Sequence, residues 1–364
     1  MKKLVSLTLA LLIALLALLP AMAEETDIRK LGVLSMLNLT EEEMANYRQA
    51  RGLIALQLYK EGIQDNELVP IEQKGHDGEN DTHPSKDYEI VYFDTLDAML
   101  MALNAGDIEK MEVYDTVARY LTHNDPNLVQ IVSFNGKADD SAFARFAREG
   151  LLSNDFAFMF MEDNTALRDE FDTAIASITD AEMDKLIQDN ITAAINGDEI
   201  SPIQMPVIDG AETIKVAVTG SLPPMDYVAA DGTPAGFNTA LLAEISQRIG
   251  KNIELVVVDS VGRAAALASG IVDAVFWTRT CGASNELAAA SEEERAERRE
   301  ALNQATSGEN RETVDKLREL VNLPDYGRAD MPEGTIITAP YFSDIVVPVT
   351  TQARLDKGAA RANQ

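Results

Sequence analysis

Few residues in this chain have the types and spacing that chemistry needs, and those few favour recognition over bond-making. His76 and His83 lie close to Asp77, Glu79 and Asp81, a mixture that invites a divalent cation. Their spacing fits neither paired zinc ligands nor a calcium loop with its central Gly and terminal Glu, so a solvated loop and no metal site are expected. His123 has no partner that the sequence reveals. Cys281 is the sole cysteine, so no internal disulfide can form, and a lone thiol is expected to be incidental. No nucleophile elbow, zinc-binding helix, phosphate loop or His-based pair occurs. General acid–base work needs a positioned group of tuned pKa; neither catalysis nor a cofactor is expected. What remains is hydrogen-bonding capacity. Asp115 precedes an apolar helical stretch and would serve as a helix cap. Trp277-Thr278-Arg279-Thr280 contains the only tryptophan. On a regular strand Thr278 and Thr280 share one face and Trp277 and Arg279 the other. Both pairs cannot meet one ligand unless the strand ends by Trp277. Arg279 stays open between an ion pair and a ligand clamp, and Trp277 between core and site.

The elements that must position these residues alternate. Leu31–Leu34, Tyr88–Phe93, Met111–Tyr114 and Phe156–Met161 read as strands. Helices are expected from Thr40 through Leu58, over Leu96–Leu103, after Tyr114 through Leu121, and over Leu167–Ile178 and Asp180–Ile195. Two of them open on a capping box, Thr40 with Glu43 and Thr179 with Glu182. Lys74–Lys86 is polar and reads as a loop. A Gly/Pro-bearing linker spans 197–211. A second series follows: strand Ile214–Val218, helix Thr239–Ile249, strand Ile253–Val258, helix Arg263–Ala268 and strand Ala274–Trp277, with strand-like sequence again over Ile336–Val349. Strands alternating with helices imply parallel βαβ units and an α/β class. The segment 284–322 breaks this rhythm with dense Glu and Arg, including i,i+4 pairs such as Glu294/Arg298, and reads as a charged helical insertion. The tail 351–364 is expected to fray.

The amino terminus predicts the compartment. Lys2 and Lys3 precede an apolar run, then Pro20 and Ala21-Met22-Ala23, the layout of a secretory signal peptide over 1–23. The run is short for a membrane span, and no Cys follows the site to carry a lipid. The net charge is −29, and loss of the two lysines makes it −31. Such acidity opposes binding to nucleic acid or anionic lipid.

Val216-Ala217-Val218, Leu222-Pro223-Pro224-Met225, Asp231-Gly232, Gly236-Phe237-Asn238, Leu267–Ala274 and Pro340–Asp344, in that order, resemble the type 2 periplasmic solute-binding proteins. More closely they resemble the extracellular solute-binding proteins of family 3, which serve polar amino acid ABC importers. The resemblance implies a two-lobed α/β fold closing on a small polar ligand, here a soluble monomer outside the cell with a possible ABC permease as partner. The first unit resembles that family's second lobe through Leu31–Leu34, Asp94-Thr95-Leu96, Leu103–Asp107 and Tyr114–Ala118. The family's lobe order is therefore reversed, which implies a circular permutation: one lobe over 24–196, the other over 212–350, and Leu31 near Val347 at the hinge. Two half-domains without a shared site are the rival arrangement.

By position, the resemblance places Leu222, Met225, Ser260 or Val261, Trp277, Thr278 and Thr280 on one side of the pocket. On the other side it places the loop Met36-Leu37-Asn38 and Asp115, the latter as carboxylate for a ligand ammonium. The family's carboxylate-binding Arg falls near Asn285 here; Arg279 could replace it only by turning inward. An extracellular sensor or scavenger without a transporter, and a dehydratase-like enzyme on the same fold, are the other functions this resemblance admits.

Overall fold

A computed structural model describes residues 29–37, 40–42, 44–46, 49–50, 88–131, 153–200, 202–229, 232–259, 262–281 and 333–356. The expected leader, the loop with His76 and His83, the insertion 284–322 and residues 357–364 lie outside these, as does most of the helix expected through Leu58.

The first series of elements is β1 (Arg29–Leu34), a 3-10 turn (Ser35–Leu37), β2 (Tyr88–Phe93), α1 (Leu96–Ala105), β3 (Lys110–Tyr114), α2 (Asp115–Asn124) and β4 (Leu128–Gln130). Local chemistry sets α1. The Thr95 side chain accepts from the Ala98 amide, Leu96, Met99 and Leu103 form its buried stripe, and Gly106 ends it at φ 90°, a conformation that favours glycine. Then come β5 (Ser153–Met161), α3 (Thr165–Ala176) and α4 (Asp180–Ile187). A π turn over Gln188–Thr192 leads from α4 into α5 (Ala193–Asn196). The Thr179/Glu182 capping box is formed as the sequence predicts.

The second series is β6 (Thr213–Val218), β7 (Ser221–Leu222), β8 (Asp226–Val228), β9 (Pro234–Ala235), α6 (Phe237–Ile249), β10 (Asn252–Val257), α7 (Arg263–Ala268), β11 (Ala274–Cys281), β12 (Thr335–Ile337) and β13 (Phe342–Thr351). Strands β7, β8 and β9 form a small antiparallel sheet. At its end Gly236 takes φ 101°, and a Cβ there would lie 2.6 Å from the Met225 carbonyl oxygen. Only glycine lets these backbones approach so closely.

Among the described residues the other ten strands form one sheet, ordered β10-β6-β11-β5-β13-β3-β1-β2, with β12 beside β5 and β4 beside β13. Its two halves share a pattern. In each, the first strand lies between the second and third in parallel, β1 between β2 and β3 and β6 between β10 and β11. An antiparallel strand then flanks the third, and that strand comes from the other end of the chain. β5, which follows β4 in sequence, pairs with β11. β13, which follows β12, pairs with β3. The two crossing strands pair with each other at the junction, Phe342 opposite Phe156 through Ile345 opposite Ser153. Strand β3 lies between β1 and β13, so Leu31 and Val347 are one strand apart and not adjacent.

Residues 154–160 of β5 are all buried, as expected of a strand covered on both faces. One apolar cluster runs through both halves and includes Val33, Val113, Phe156, Val216, Leu241 and Val347. After β13 the chain does not fray at once: residues 352–356 take a helical turn. There Arg354 donates to the Gly106 carbonyl and the Gln352 amide to that of Asn127.

Candidate functional site

The strand expected to stop at Trp277 continues to Cys281, and it does so through a bulge. Its register against β5 shifts between Val275, opposite Met159, and Thr278, opposite Ala157. Trp277 sits in the shift at φ 58°, a left-handed conformation costing a non-glycine residue roughly 1–2 kcal/mol. Regular alternation from Trp277 to Thr280 therefore does not hold, because the extra residue resets the phase. Trp277, Thr278 and Arg279 are each about 1% exposed. At that burial Arg279 is no surface ion pair, which leaves a structural pair or a ligand clamp. Thr280 is part of the strand backbone, and its side chain lies outside the described set, as do Asn38, Ser260 and Val261.

Partners hold the bulge. The Trp277 ring stacks on Phe156 with centroids 3.6 Å apart and meets Tyr114 edge-on at 5.6 Å. Its amide donates to the Tyr341 hydroxyl at 3.2 Å. Arg263, the first residue of α7, donates to the carbonyls of Phe276 and Trp277, both at 3.3 Å. Bulging removes these peptide groups from the ladder, and buried peptide groups need other partners. Tyr341 also stacks with Phe158, and burial holds its hydroxyl above the usual tyrosine range.

Leu222 and Met225 are buried in the same cluster as Trp277. Just beyond them, Asp226 accepts from the Thr219 hydroxyl at 2.6 Å and from the amides of Thr219 and Gly220 at 2.8 and 2.7 Å. Burial pushes the Asp226 carboxyl up, while these donors and the charge of Arg263 oppose that.

Asp115 opens α2, one residue after Tyr114. Its Oδ1 accepts from Gln130 Nε2 at 2.7 Å. The amino end of α2 is met from outside by Asp344 of β13. Asp344 Oδ2 accepts from the Thr116 amide at 3.2 Å and the Thr116 hydroxyl at 2.5 Å. Burial, then the neighbouring Asp115 carboxylate, raises Asp344 to about 7.

The fold thus brings Trp277 against Tyr114, the neighbour of Asp115, while Leu222 and Met225 share their apolar cluster. Sequence reading missed Arg263, Asp226, Tyr341 as an acceptor, and Asp344. Two of these carried a signal: an Arg opening the otherwise apolar helix Arg263–Ala268, and an Asp inside the largely buried strand Phe342–Thr351. Among the described residues no group of three or more His, Cys, Asp or Glu is placed to hold a metal. Nor is any helix there long and apolar enough to cross a membrane.

Two parallel half-sheets that exchange antiparallel strands define a mixed α/β fold built on a parallel-rich sheet. Residues 214–285 match the bacterial extracellular solute-binding proteins, family 3. No curated protein matches the chain in sequence. Among solved structures it is similar to the periplasmic binding protein AgaA of A. tumefaciens R10, in complex with agropinic acid. There the TM-score is 0.34 and the identity 11%, over 75% of this chain and 60% of that one. It is also similar to the zinc-bound ligand-binding component of an ABC-type import system from Staphylococcus aureus, with TM-score 0.35 and identity 11% over 92% and 70% of the two chains. A phosphate-binding protein of a Streptococcus pneumoniae phosphate ABC transporter gives 0.33 and 10% over 92% and 96%.

Proposed function

We propose that the chain is an exported solute-binding protein that traps a small polar ligand, an amino acid or a related molecule, between its lobes and presents it to an ABC permease. In this reading residues 1–23 are a signal peptide, the lobes span 24–196 and 212–350, and a monomer holds one site. Asp115 takes a ligand cation. As the family resemblance implies, Asn38 joins Asp115 among the ligand contacts, and Leu222, Met225, Trp277, Thr278, Arg279 and Thr280 are the contacts from the other lobe. The observation that carries the reading is the exchange of β5 and β13, through which the two half-sheets are joined. The contact of Trp277 with Tyr114 supports it. A charged ligand drawn into a closing cleft needs such convergent partners, since desolvation without them is costly. No step in this function makes or breaks a covalent bond.

The same connectivity supports a circular permutation. The family-matching segment follows the half-sheet β1–β4 in this chain, and 197–211 joins α5 to β6. A chain rebuilt to begin at Glu212 and to link residue 356 back to Arg29 is expected to fold with an unchanged unfolding midpoint. Loss of folding on rejoining would count against the permutation. The binding function is tested by thermal-shift screening against amino acids, polyamines and small organic acids, because a ligand that binds only the folded state raises its midpoint. At least one class is expected to do so; no shift with any class would remove the proposal.

A further inference from the structure

Arg263 has a third contact, and it reaches the other half-sheet. While Nη1 donates to Phe276 and Trp277, Nη2 donates to the Met36 carbonyl at 3.4 Å. Met36 lies in the 3-10 turn after β1, so one guanidinium touches backbone of both halves. The side chain is 6% exposed. A fork of five donors can serve several carbonyls at once, which the single ammonium of lysine cannot do with the same geometry. Its buried charge lies in the field of Asp226, which itself is fixed by the Thr219–Gly220 turn.

The carbonyls it serves matter. Trp277 occupies a backbone conformation that a tryptophan adopts only when its surroundings enforce it. The Tyr341 hydroxyl receives the Trp277 amide on one side and Arg263 donates to the carbonyls on the other. The Trp277 ring then lies flat on Phe156 and edge-on to Tyr114, the last residue of β3. Separation of the halves would draw Met36 and Tyr114 away together, removing one arm of Arg263 and one neighbour of the indole.

We propose that Arg263 is a positioning residue that ties the left-handed bulge at Trp277 to the Met36 turn, so the indole keeps its buried pose against Tyr114 only while the two half-sheets are together. Trp277 thereby becomes an internal reporter of the junction. This tie is made within the chain itself, so its test is independent of the solute-binding reading.

The test uses the intrinsic fluorescence of the full chain, in which Trp277 is the sole tryptophan, together with unfolding midpoints. Arg263→Lys keeps the charge opposite Asp226 but loses the fork; Arg263→Met loses both. Red-shifted emission and faster acrylamide quenching are expected in both, with the larger change in Arg263→Met. Tyr341→Phe, which frees the Trp277 amide from the opposite side, is expected to move emission in the same direction. A lowered midpoint with unchanged emission in Arg263→Lys would mean that Arg263 merely packs, and the proposal would fail. It would fail equally if Tyr341→Phe shifted the emission while both Arg263 variants left it alone. If Arg263→Met does not fold, Arg263→Lys decides the matter.

Discussion

In one half of the sheet β3 stops at Tyr114 and the chain turns at once into α2, whereas in the other β11 bulges at Trp277 and runs on to Cys281. The two third strands have corresponding neighbours, a parallel first strand and an antiparallel crossing strand. Their different endings place different chemistry at the junction. Where the strand stops, a helix amino end and the carboxylates of Asp115 and Asp344 gather. Where it continues, an aromatic stack and the donors of Arg263 take their place. A pseudo-repeated framework thus sets two carboxylates at the end of one third strand, and an aromatic stack with a backbone-held arginine at the other, by changing how a single strand terminates.

The sharpest way to break this comparison is to unfold one half without the other. Phe171 of α3 is fully buried, edge-on to Phe158 and Phe160 of the crossing strand β5. Phe171→Ala is expected to cost about 3–5 kcal/mol. Because β5 and β13 join the halves, far-UV circular dichroism and Trp277 fluorescence should still report one coincident transition. Two separated transitions would show that the halves are independent. Next in size, Gly236→Ala places a methyl group against the Met225 carbonyl at a φ that disfavours it, and about 2–3 kcal/mol should be lost. A chemical denaturation curve checks this.

The acidic wall predicts a pH dependence. Asp344 titrates at about 7 in the folded chain against 3.8 for an ordinary carboxyl. The folded state therefore holds the proton more tightly than the unfolded state. Stability from protonated Asp344 is complete below 3.8 and is lost as pH rises through about 7. In Asp344→Asn the urea midpoint should vary less with pH across that window; an unchanged slope would remove Asp344 as its source. The smallest effect concerns Lys251, which bridges Glu170 of α3 at 2.8 Å and Glu212 at 3.2 Å. Lys251→Ala should cost no more than about 1 kcal/mol, and less in high salt.

Much of this arrangement was legible because its causes are local. The Thr179/Glu182 box, the stripe of Leu96, Met99 and Leu103, and the apolar run Phe156–Met161 each act within a few residues. The partners of Phe156–Met161 were not legible, since a strand buried on both faces advertises its burial and not its neighbours. The bulge had no local marker, because glycine or asparagine ordinarily signals positive φ and here a tryptophan adopts it. Arg263 could be noticed as an oddity on an apolar helix, but its role depends on carbonyls that only the bulge exposes. Asp115 was legible as a candidate through the resemblance alone, while its carboxylate neighbour arrives from β13, more than two hundred residues away in the chain.

The central claim is that Asp115 and the Trp277 wall face one ligand. Its most direct test is a titration of the full chain with the amino acid, polyamine and organic acid panel, following Trp277 emission and unfolding midpoint in the wild type and in Asp115→Asn. A ligand that moves both signals in the wild type and loses most of its affinity in Asp115→Asn is the predicted result. A ligand that raises the midpoint equally in both chains, without touching Trp277 emission, would contradict it.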